Sequence, residues 1–263
     1  MSPIPSIPFT KASACGNDFL IVQGNDSSGN YAAIASRMCD RHNGVGADGV
    51  EWLFPDPAAD TTARLFNADG SEAEISGNGT RCVAAELCSR TGKKEAVIRT
   101  GAGLRTCRLI SHEGSVFQFE SAMGQPVVEG PLAIETMWLK AMGTRVSVGN
   151  PHYVVFVESF PDDWQRRGAL ISTQPVFPNG TNVEFVVVRG PNEIEIRLFE
   201  RGVGETQSSG TGSCASAVAA IAAHRIESPV KVVAPGGTQT VRWNDQVHLT
   251  GPATLVCRGE FFI

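Results

Sequence analysis

The sequence lacks the features of membrane, secreted and nucleic-acid-binding proteins. No apolar run reaches the length needed to cross a bilayer, and the longest, Cys214 to Ile221, is short and rich in alanine. Residues 1–10 contain neither the basic segment nor the apolar core of a secretory signal. Lys and Arg are scattered and the net charge is −5, which argues against the neutralisation of phosphates. We therefore expect a cytoplasmic protein with neither a membrane nor a nucleic-acid partner.

The cysteines do not form a metal-binding pattern. They are seven, an odd number, and none belongs to a Cys-x-x-Cys pair. Their spacing gives no support to a zinc site, and without an export signal reduced thiols are the expected state. We expect no metal. The seven are Cys15, Cys39, Cys82, Cys88, Cys107, Cys214 and Cys257.

The most informative feature that is present is an internal repeat with an offset of 133 residues. Several separated matches share this one register, which indicates two homologous halves from a duplicated gene. We predict an N-terminal half of residues 1–122, which the last ~10 residues of the chain can join, and a C-terminal half of residues 123–263. The matched segments are Gly16-Asn17 and Gly149-Asn150, Arg64-Leu65-Phe66 and Arg197-Leu198-Phe199, Glu72 and Glu205, Ser76-Gly77-Asn78-Gly79 and Ser209-Gly210-Thr211-Gly212, and Ala84 and Ala217.

The predicted fold class is α+β. Strand-like segments rich in Val, Ile, Phe and Thr dominate, and few segments favour helix. Two of the helical segments follow the Ser-Gly-x-Gly turns and consist of small residues nearly all round, so we expect each to be buried inside its half. The predicted helices are Tyr31–Arg41, Gly79–Arg90, Phe160–Ile171 and Gly212–Arg225.

The two Ser-Gly-x-Gly turns are candidate anion sites. Glycines at a helix start expose backbone N–H groups, and the helix dipole adds partial positive charge, which together suit a carboxylate. Two such turns at equivalent places suggest that one small anionic ligand is held between opposed helix ends. Ser76 and Ser209 have two interpretations, because serine is also among the best N-cap residues.

Polar residues elsewhere in the halves allow a functional and a structural interpretation. Glu200 and Arg201 offer an acceptor for an ammonium group and a forked donor for a carboxylate, although an exposed surface ion pair is the simpler alternative. His152 is a candidate general base or a hydrogen-bonded strand residue.

These residues resemble those of the diaminopimelate epimerase family, and the resemblance covers nearly the whole chain. Together the motifs are far more specific than a single glycine-rich loop. They are Gly16–Phe19, Asp40–Gly49, Phe66–Glu72, Gly77–Gly79, Gly149–His152, Asn182–Phe185 and Glu200–Thr206.

The resemblance implies two similar domains, each a curved mixed sheet or barrel wrapped around a central helix. It also implies a cofactor-independent isomerase that interconverts LL- and meso-diaminopimelate, a small amino acid of lysine and peptidoglycan biosynthesis. In that family two cysteines act on opposite faces of the substrate α-carbon, one as base and one as acid. A homodimer is the assembly that the family suggests, although Cys257 stands where some members have a dimer-contact tyrosine.

The resemblance assigns roles residue by residue. His152 and Glu200 would tune the two acid/base groups. The substrate contacts would be Asn17, Asn67, Gly77, Asn78, Asn150, Asn182, Glu200, Arg201, Gly210 and Thr211.

This sequence departs from the family at the two acid/base positions, which are Ser76 and Ser209. A thiol near a helix N-terminus is well matched to proton transfer near neutral pH, whereas a hydroxyl is a far weaker acid and needs a base. We expect slower epimerisation than with two cysteines. An amino-acid-binding pseudoenzyme, a deliberately inactivated variant, and a racemase or lyase acting on another amino acid are the alternatives.

Overall fold

The computed structural model describes residues 4–25, 29–137 and 139–263. The first three residues of segment 1–10, in which the sequence shows no secretory signal, therefore lie outside the described residues. The described residues form a mixed α+β structure, as predicted, and none of their helices is long and apolar enough to span a membrane. The helices are α1 (Tyr31–Cys39), α2 (Gly77–Thr91), α3 (Trp164–Ser172) and α4 (Gly210–Ala222). The strands are β1 (Ser6–Ala14), β2 (Asn17–Gln23), β3 (Gly49–Phe54), β4 (Thr61–Asn67), β5 (Glu72–Ala73), β6 (Glu95–Thr100), β7 (Gly103–Glu113), β8 (Val116–Gly124), β9 (Val127–Thr136), β10 (Leu139–Ser147), β11 (Pro151–Phe156), β12 (Asn182–Gly190), β13 (Glu193–Glu200), β14 (Gly204–Thr206), β15 (Val230–Ala234), β16 (Gly237–Trp243) and β17 (Val247–Phe262).

The chain divides into two compact units. Unit 1 comprises Met1–Ser121 together with Gly251–Ile263, and unit 2 comprises Ala122–Thr250. The second unit is therefore one uninterrupted segment, whereas the first is assembled from both ends of the sequence.

Unit 1 is a ring of eight strands around α2. The hydrogen-bonded neighbours run β17-β1-β2-β3-β4-β6-β7-β8, and β8 pairs again with β17. The pairs β2–β3 and β4–β6 are parallel, and each is joined by a crossover connection that includes a helix. The pairs β1–β17, β1–β2, β3–β4, β6–β7 and β7–β8 are antiparallel. Helix α2 is buried from Asn78 through Glu86, and the apolar cluster to which it belongs contains residues of all eight strands.

Unit 2 repeats this arrangement around α4. Its strands run from β9 through β10, β11, β12, β13, β15 and β16 to the start of β17. Every residue from Gly212 through Ala220 is buried, which the small side chains permit because strands pack close on all sides. This confirms the prediction that the two helices after the Ser-Gly-x-Gly turns are buried inside their halves.

The strand register preserves the sequence repeat. Phe19 pairs with Gly49 in the parallel pair β2–β3, and His152 pairs with Asn182 in the parallel pair β11–β12, each residue 133 positions after its counterpart. The duplication seen in the sequence is therefore a duplication of hydrogen-bonding pattern and not only of motifs.

The predicted starts of the two central helices were wrong by two residues. Helix α2 begins at Gly77 instead of Gly79, and α4 begins at Gly210 instead of Gly212. The serine that precedes each helix is its N-cap, so both glycines of each turn already belong to the first turn of the helix.

The sequence predicted neither β1 nor β3 as a strand. It also did not predict β9, and of β10 it predicted only the end. The sequences of β9 and β10 contain Gly130, Pro131 and Gly143, which are unfavourable in isolated strands. The two strands pair along their whole length, so tertiary pairing overrides the local preference.

Candidate functional site

The two candidate serines are N-caps with the same geometry. Ser76 has extended backbone angles, and its Oγ accepts a hydrogen bond of 3.1 Å from the N–H of Gly79. Ser209 is likewise extended, and its Oγ accepts a bond of 3.2 Å from the N–H of Gly212. A capping serine uses its oxygen as an acceptor and keeps its own proton to donate. The capping interpretation is thus correct for both residues, and it leaves the hydroxyl proton available for chemistry.

In unit 1 the predicted contacts Asn17 and Asn78 are joined directly. Asn78 Nδ2 donates to Asn17 Oδ1 at 2.8 Å, and the buried Arg81 donates to Asn78 Oδ1. Asn17 follows Gly16, whose left-handed φ of 87° makes the tight β1–β2 turn that points the amide at the start of α2. Asn17 Nδ2 in turn donates to Asp48 Oδ2 at 3.0 Å, which fixes the orientation of its amide.

Asp48 belongs to an ion-pair group within the Asp40–Gly49 motif and its surroundings. Arg41 lies 2.8 Å from carboxylate oxygens of both Asp18 and Asp48. Burial opposes ionisation of Asp18, but Arg41 and Lys11 together hold its pKa below the usual value. This group therefore holds a carboxylate, Asp48, against the amide of Asn17.

Asn67 lies in a local turn. Its Nδ2 donates to Ser71 Oγ at 3.0 Å, and its backbone N–H donates to the carbonyl oxygen of Ser71. The structure therefore shows how this turn is held, and the role of Asn67 in binding stays a prediction.

In unit 2 the equivalent contact joins Asn150 and Thr211. Asn150 Nδ2 lies 3.4 Å from Thr211 Oγ1, and Thr211 Oγ1 lies 3.4 Å from Ser209 Oγ. These residues occupy the positions of Asn17 and Asn78, displaced by 133 residues. Each unit therefore places an asparagine side chain on the third residue of its Ser-Gly-x-Gly turn.

His152 is held at both ring nitrogens. Nε2 lies 2.9 Å from Asn150 Oδ1, and Nδ1 lies 2.7 Å from Glu184 Oε1. The side chains of His152 and Glu184 are 0% and 1% exposed. His152 is thus a hydrogen-bonded strand residue within a buried chain of polar side chains, and its role as a general base stays a prediction.

Glu184 is a site residue that the sequence analysis missed. Burial raises the pKa of Glu184, the contact with His152 opposes that rise, and the charge of Glu200 adds to it. Its second oxygen has no hydrogen-bond partner among the residues that the structure describes. The predicted acid/base residue Glu200 is therefore close enough to influence the His152–Glu184 pair electrostatically.

Asn182 positions the backbone at Arg201. Its Oδ1 accepts the N–H of Arg201 at 3.0 Å, and its Nδ2 donates to the carbonyl of Pro151 at 3.0 Å. The guanidinium of Arg201 donates to the carbonyl of Asn179 at 2.9 Å. In the described part of the chain Arg201 forms no ion pair with a carboxylate, so the alternative of a surface pair with Glu200 is not what the structure shows.

Glu51 is a second missed residue, and it is the counterpart of Glu184 at the same offset. It lies in β3, is 3% exposed, and burial raises its pKa to about 8. The signal in the sequence was the repeat itself, because Glu51 stands between the apolar residues Val50 and Trp52 and belongs to no short motif.

All seven cysteines are free thiols, and Cys257 alone among them is exposed. The described residues contain no group of three or more His, Cys, Asp or Glu side chains that could hold a metal ion. Cys15 lies beside the site, since its Sγ is 3.8 Å from Arg81 Nη2, and burial raises its pKa.

Comparison with solved structures defines the class of fold. The chain is similar to a PhzF-family phenazine biosynthesis protein of Bacillus anthracis, with a TM-score of 0.76, 17% identity, and coverage of 99% of this chain and 100% of that one. It is also similar to a probable proline racemase of Agrobacterium radiobacter, with a TM-score of 0.69, 16% identity and coverage of 96% and 92%. At these identities the likeness concerns the fold alone.

Comparison of sequences defines the family. The family model described as diaminopimelate epimerase matches residues 9–129 and 144–256. The chain is 42% identical to the diaminopimelate epimerase of Pelotomaculum thermopropionicum over 274 residues, which cover 96% of this chain and 98% of the relative. It is 40% identical to that of Desulforudis audaxviator, with coverage of 96% and 98%. The chain belongs to the diaminopimelate epimerase family.

Proposed function

We propose that this protein is a cofactor-independent isomerase that interconverts LL- and meso-diaminopimelate, with Ser76 and Ser209 as its acid/base pair. The observation that carries this proposal is the equivalence of the two helix starts. Each presents a serine oxygen that accepts a helix N–H, at positions related by the duplication of the whole fold. Membership of the family supports the reaction class.

The proposed reaction removes one proton from the α-carbon and adds a different proton to the same carbon. One serine oxygen takes the α-proton of the amino acid, and the other serine gives a proton to the opposite face of the same carbon. Backbone N–H groups and helix dipoles at both helix starts favour the negative charge that develops on the substrate carboxylate. His152, through Glu184, and Glu200 would serve Ser209 as proton acceptors.

The proposed binding residues are those to which the family resemblance assigns substrate contacts, and they come from both halves of the sequence repeat. Asparagine amides suit both the carboxylates and the ammonium groups of an amino acid, and Arg201 offers a forked donor to a carboxylate. The set is Asn17, Asn67, Gly77, Asn78, Asn150, Asn182, Glu200, Arg201, Gly210 and Thr211.

A binding protein without turnover is the second candidate. It is favoured by the capping bonds, because they give both serines a role in stability that needs no chemistry. A racemase or lyase for another amino acid is the third, and it differs from the first in the products of exchange.

Exchange of the substrate α-proton with D2O separates these candidates. Exchange of LL-diaminopimelate with inversion supports the epimerase, binding without exchange supports the binding protein, and exchange with elimination supports the lyase. Replacing Ser76 and Ser209 by cysteine together should raise exchange by orders of magnitude, since a thiol titrates far closer to neutral pH. If the folded double variant shows no exchange, the acid/base assignment is wrong.

Arg201→Ala tests the substrate contact. We expect it to abolish binding of diaminopimelate, measured by calorimetry, because the forked donor to a carboxylate is lost. Arg189→Ala is the matched control, since Arg189 is an exposed arginine paired with Glu195 at 2.6 Å. Unchanged affinity in Arg201→Ala would contradict the diaminopimelate assignment.

A cytoplasmic location and assembly into a homodimer complete the proposal. Cell fractionation tests the first, and sedimentation equilibrium of the purified chain tests the second.

A further inference from the structure

Glu51 points from its strand toward the central helix of unit 1. Side chains alternate along a strand, and in β3 the neighbours Val50 and Trp52 pack with α1 on the outside. Leu53, on the same face as Glu51, packs with α2 in the interior cluster. A carboxyl group on the interior face of a strand is exceptional, because burial without a compensating partner is costly.

The carboxyl of Glu51 lies beside Ser76. A Cβ placed on Gly79 would be 2.2 Å from Glu51 Oε1 and 3.2 Å from Ser76 Cβ. The glutamate oxygen and the serine therefore flank the same glycine, the one whose N–H donates to Ser76 Oγ. No side chain larger than glycine fits at this position while Glu51 keeps its place.

Unit 2 has the same arrangement with one difference. A Cβ on Gly212 would be 3.0 Å from Glu184 Oε1 and 3.2 Å from Ser209 Cβ. Glu184 is bonded to His152, but the position of His152 in unit 1 is occupied by Phe19, whose ring lies in the apolar cluster around α2. Among the described residues, none makes a hydrogen bond to the carboxyl of Glu51.

We propose that Glu51 is the proton acceptor for Ser76, so that unit 1 carries a serine–carboxylate pair where unit 2 carries a serine near a glutamate–histidine pair. This proposal rests on the proposed function. As Ser76 Oγ takes the substrate α-proton, its hydroxyl proton passes to the Glu51 carboxylate, and the C–H electron pair stays on the α-carbon. In the reverse direction Glu51 returns a proton to the oxygen, which delivers its proton to the carbon. Glu51 acts through Ser76 and is a positioning residue.

The surroundings of Glu51 suit this role. The residues that pair with it across the sheet, Ile21 and Leu65, are apolar. From α2 the titratable neighbour is Cys82, whose thiol pKa is raised by its own burial and, to a lesser degree, by the charge of Glu51; the guanidinium of Arg81 opposes that rise. A carboxyl whose pKa is raised to about 8 can take up and release protons near neutral pH.

The first test needs no catalytic turnover. In a Ser76→Cys variant that also carries Cys257→Ser, the thiol at position 76 is titrated by the pH dependence of its alkylation. Glu51→Gln removes a negative charge beside the sulfur, so we expect the thiol pKa to fall by about one unit. The control is Glu86→Gln, since Glu86 is a buried carboxylate of the same helix that pairs with Arg258 at 3.0 Å, and it should leave the thiol pKa unchanged.

The second test uses α-proton exchange. Glu51→Gln should reduce exchange at least ~100-fold in the serine form and remove the rise of the rate with pH through about 8. In the Ser76→Cys form, which supplies its own acidic group, the same change should cost less than ~10-fold. Glu86→Gln should change neither rate.

The outcomes distinguish failure of the role proposed for Glu51 from failure of the proposed function. An unchanged thiol pKa in Glu51→Gln, or an equal loss of exchange in the serine and cysteine forms, overturns the role of Glu51. If the unmodified protein shows no exchange, the proposed function fails, and the thiol titration still determines whether the Glu51 charge acts on position 76.

Discussion

Replacing Glu51 by glutamine should change how the stability of the protein depends on pH. In the folded protein burial raises the pKa of this carboxyl from 4.5 to about 8, whereas the unfolded chain exposes it to water. Between these two values the folded state binds more protons at Glu51 than the unfolded state. Stability from this group is therefore full below the unfolded pKa and is lost as the pH rises through the folded pKa.

The size of the effect follows from the shift. Each pKa unit corresponds to about 1.4 kcal/mol, so the loss between pH 4.5 and pH 8 is on the order of 4 kcal/mol. Glutamine has nearly the same shape and does not ionise. The free energy of unfolding of Glu51→Gln, relative to the unmodified protein, should rise by that amount as the pH is raised from 4.5 to 8.

Urea unfolding at several pH values measures this difference directly. All other titrating groups, including Glu184, are shared by the two proteins and cancel in the comparison. Parallel profiles for the two proteins would show that Glu51 titrates normally, and the reasoning from its burial would then be refuted.

Two further predictions concern stability at the helix starts. Gly79→Ala should destabilise the protein by about 1–3 kcal/mol in urea unfolding, because its Cβ would lie 2.2 Å from Glu51 Oε1. Gly77→Ala is the control, since its Cβ would meet nothing within 4 Å and should not lower the stability. Equal effects of the two changes would contradict the close approach of Glu51 to Gly79. His152→Leu should cost about 3–5 kcal/mol because it leaves Glu184 buried without its partner, and adding Glu184→Leu should recover most of that loss. A double variant as unstable as the single one would show that the pair is not the source of the cost.

The α+β class and the presence of a helix after each Ser-Gly-x-Gly turn could be predicted because the repeat is a pattern of local motifs, although each helix begins two residues earlier than predicted. Ser76 and Ser209 were identified from a four-residue turn, and the structure adds that both hydroxyls cap helices. Sequence alone could not choose between capping and chemistry, since the same oxygen position serves both.

The buried carboxylates could not be predicted from local sequence. Glu51 and Glu184 stand in strands whose other residues indicate a buried sheet, and no short motif marks an acid there as functional. Their significance depends on Gly79 and Gly212, which approach them only when strand and helix have packed. Arg201 shows the same limit, because its partner is a backbone carbonyl that no spacing rule identifies.

The path of the chain also bears on how this protein is made. Segment 122–250 can complete its own core before residues 251–263 have left the ribosome, whereas the ring around α2 lacks β17 until then. Unit 1, whose first strands are synthesised before unit 2, is thus completed after it. Until β17 is available, β1 and β8 each have one unpaired edge. A chain that lacked the last dozen residues would lose most of β17 from unit 1. That part of the strand is far from Ser76 in the sequence but belongs to the same unit.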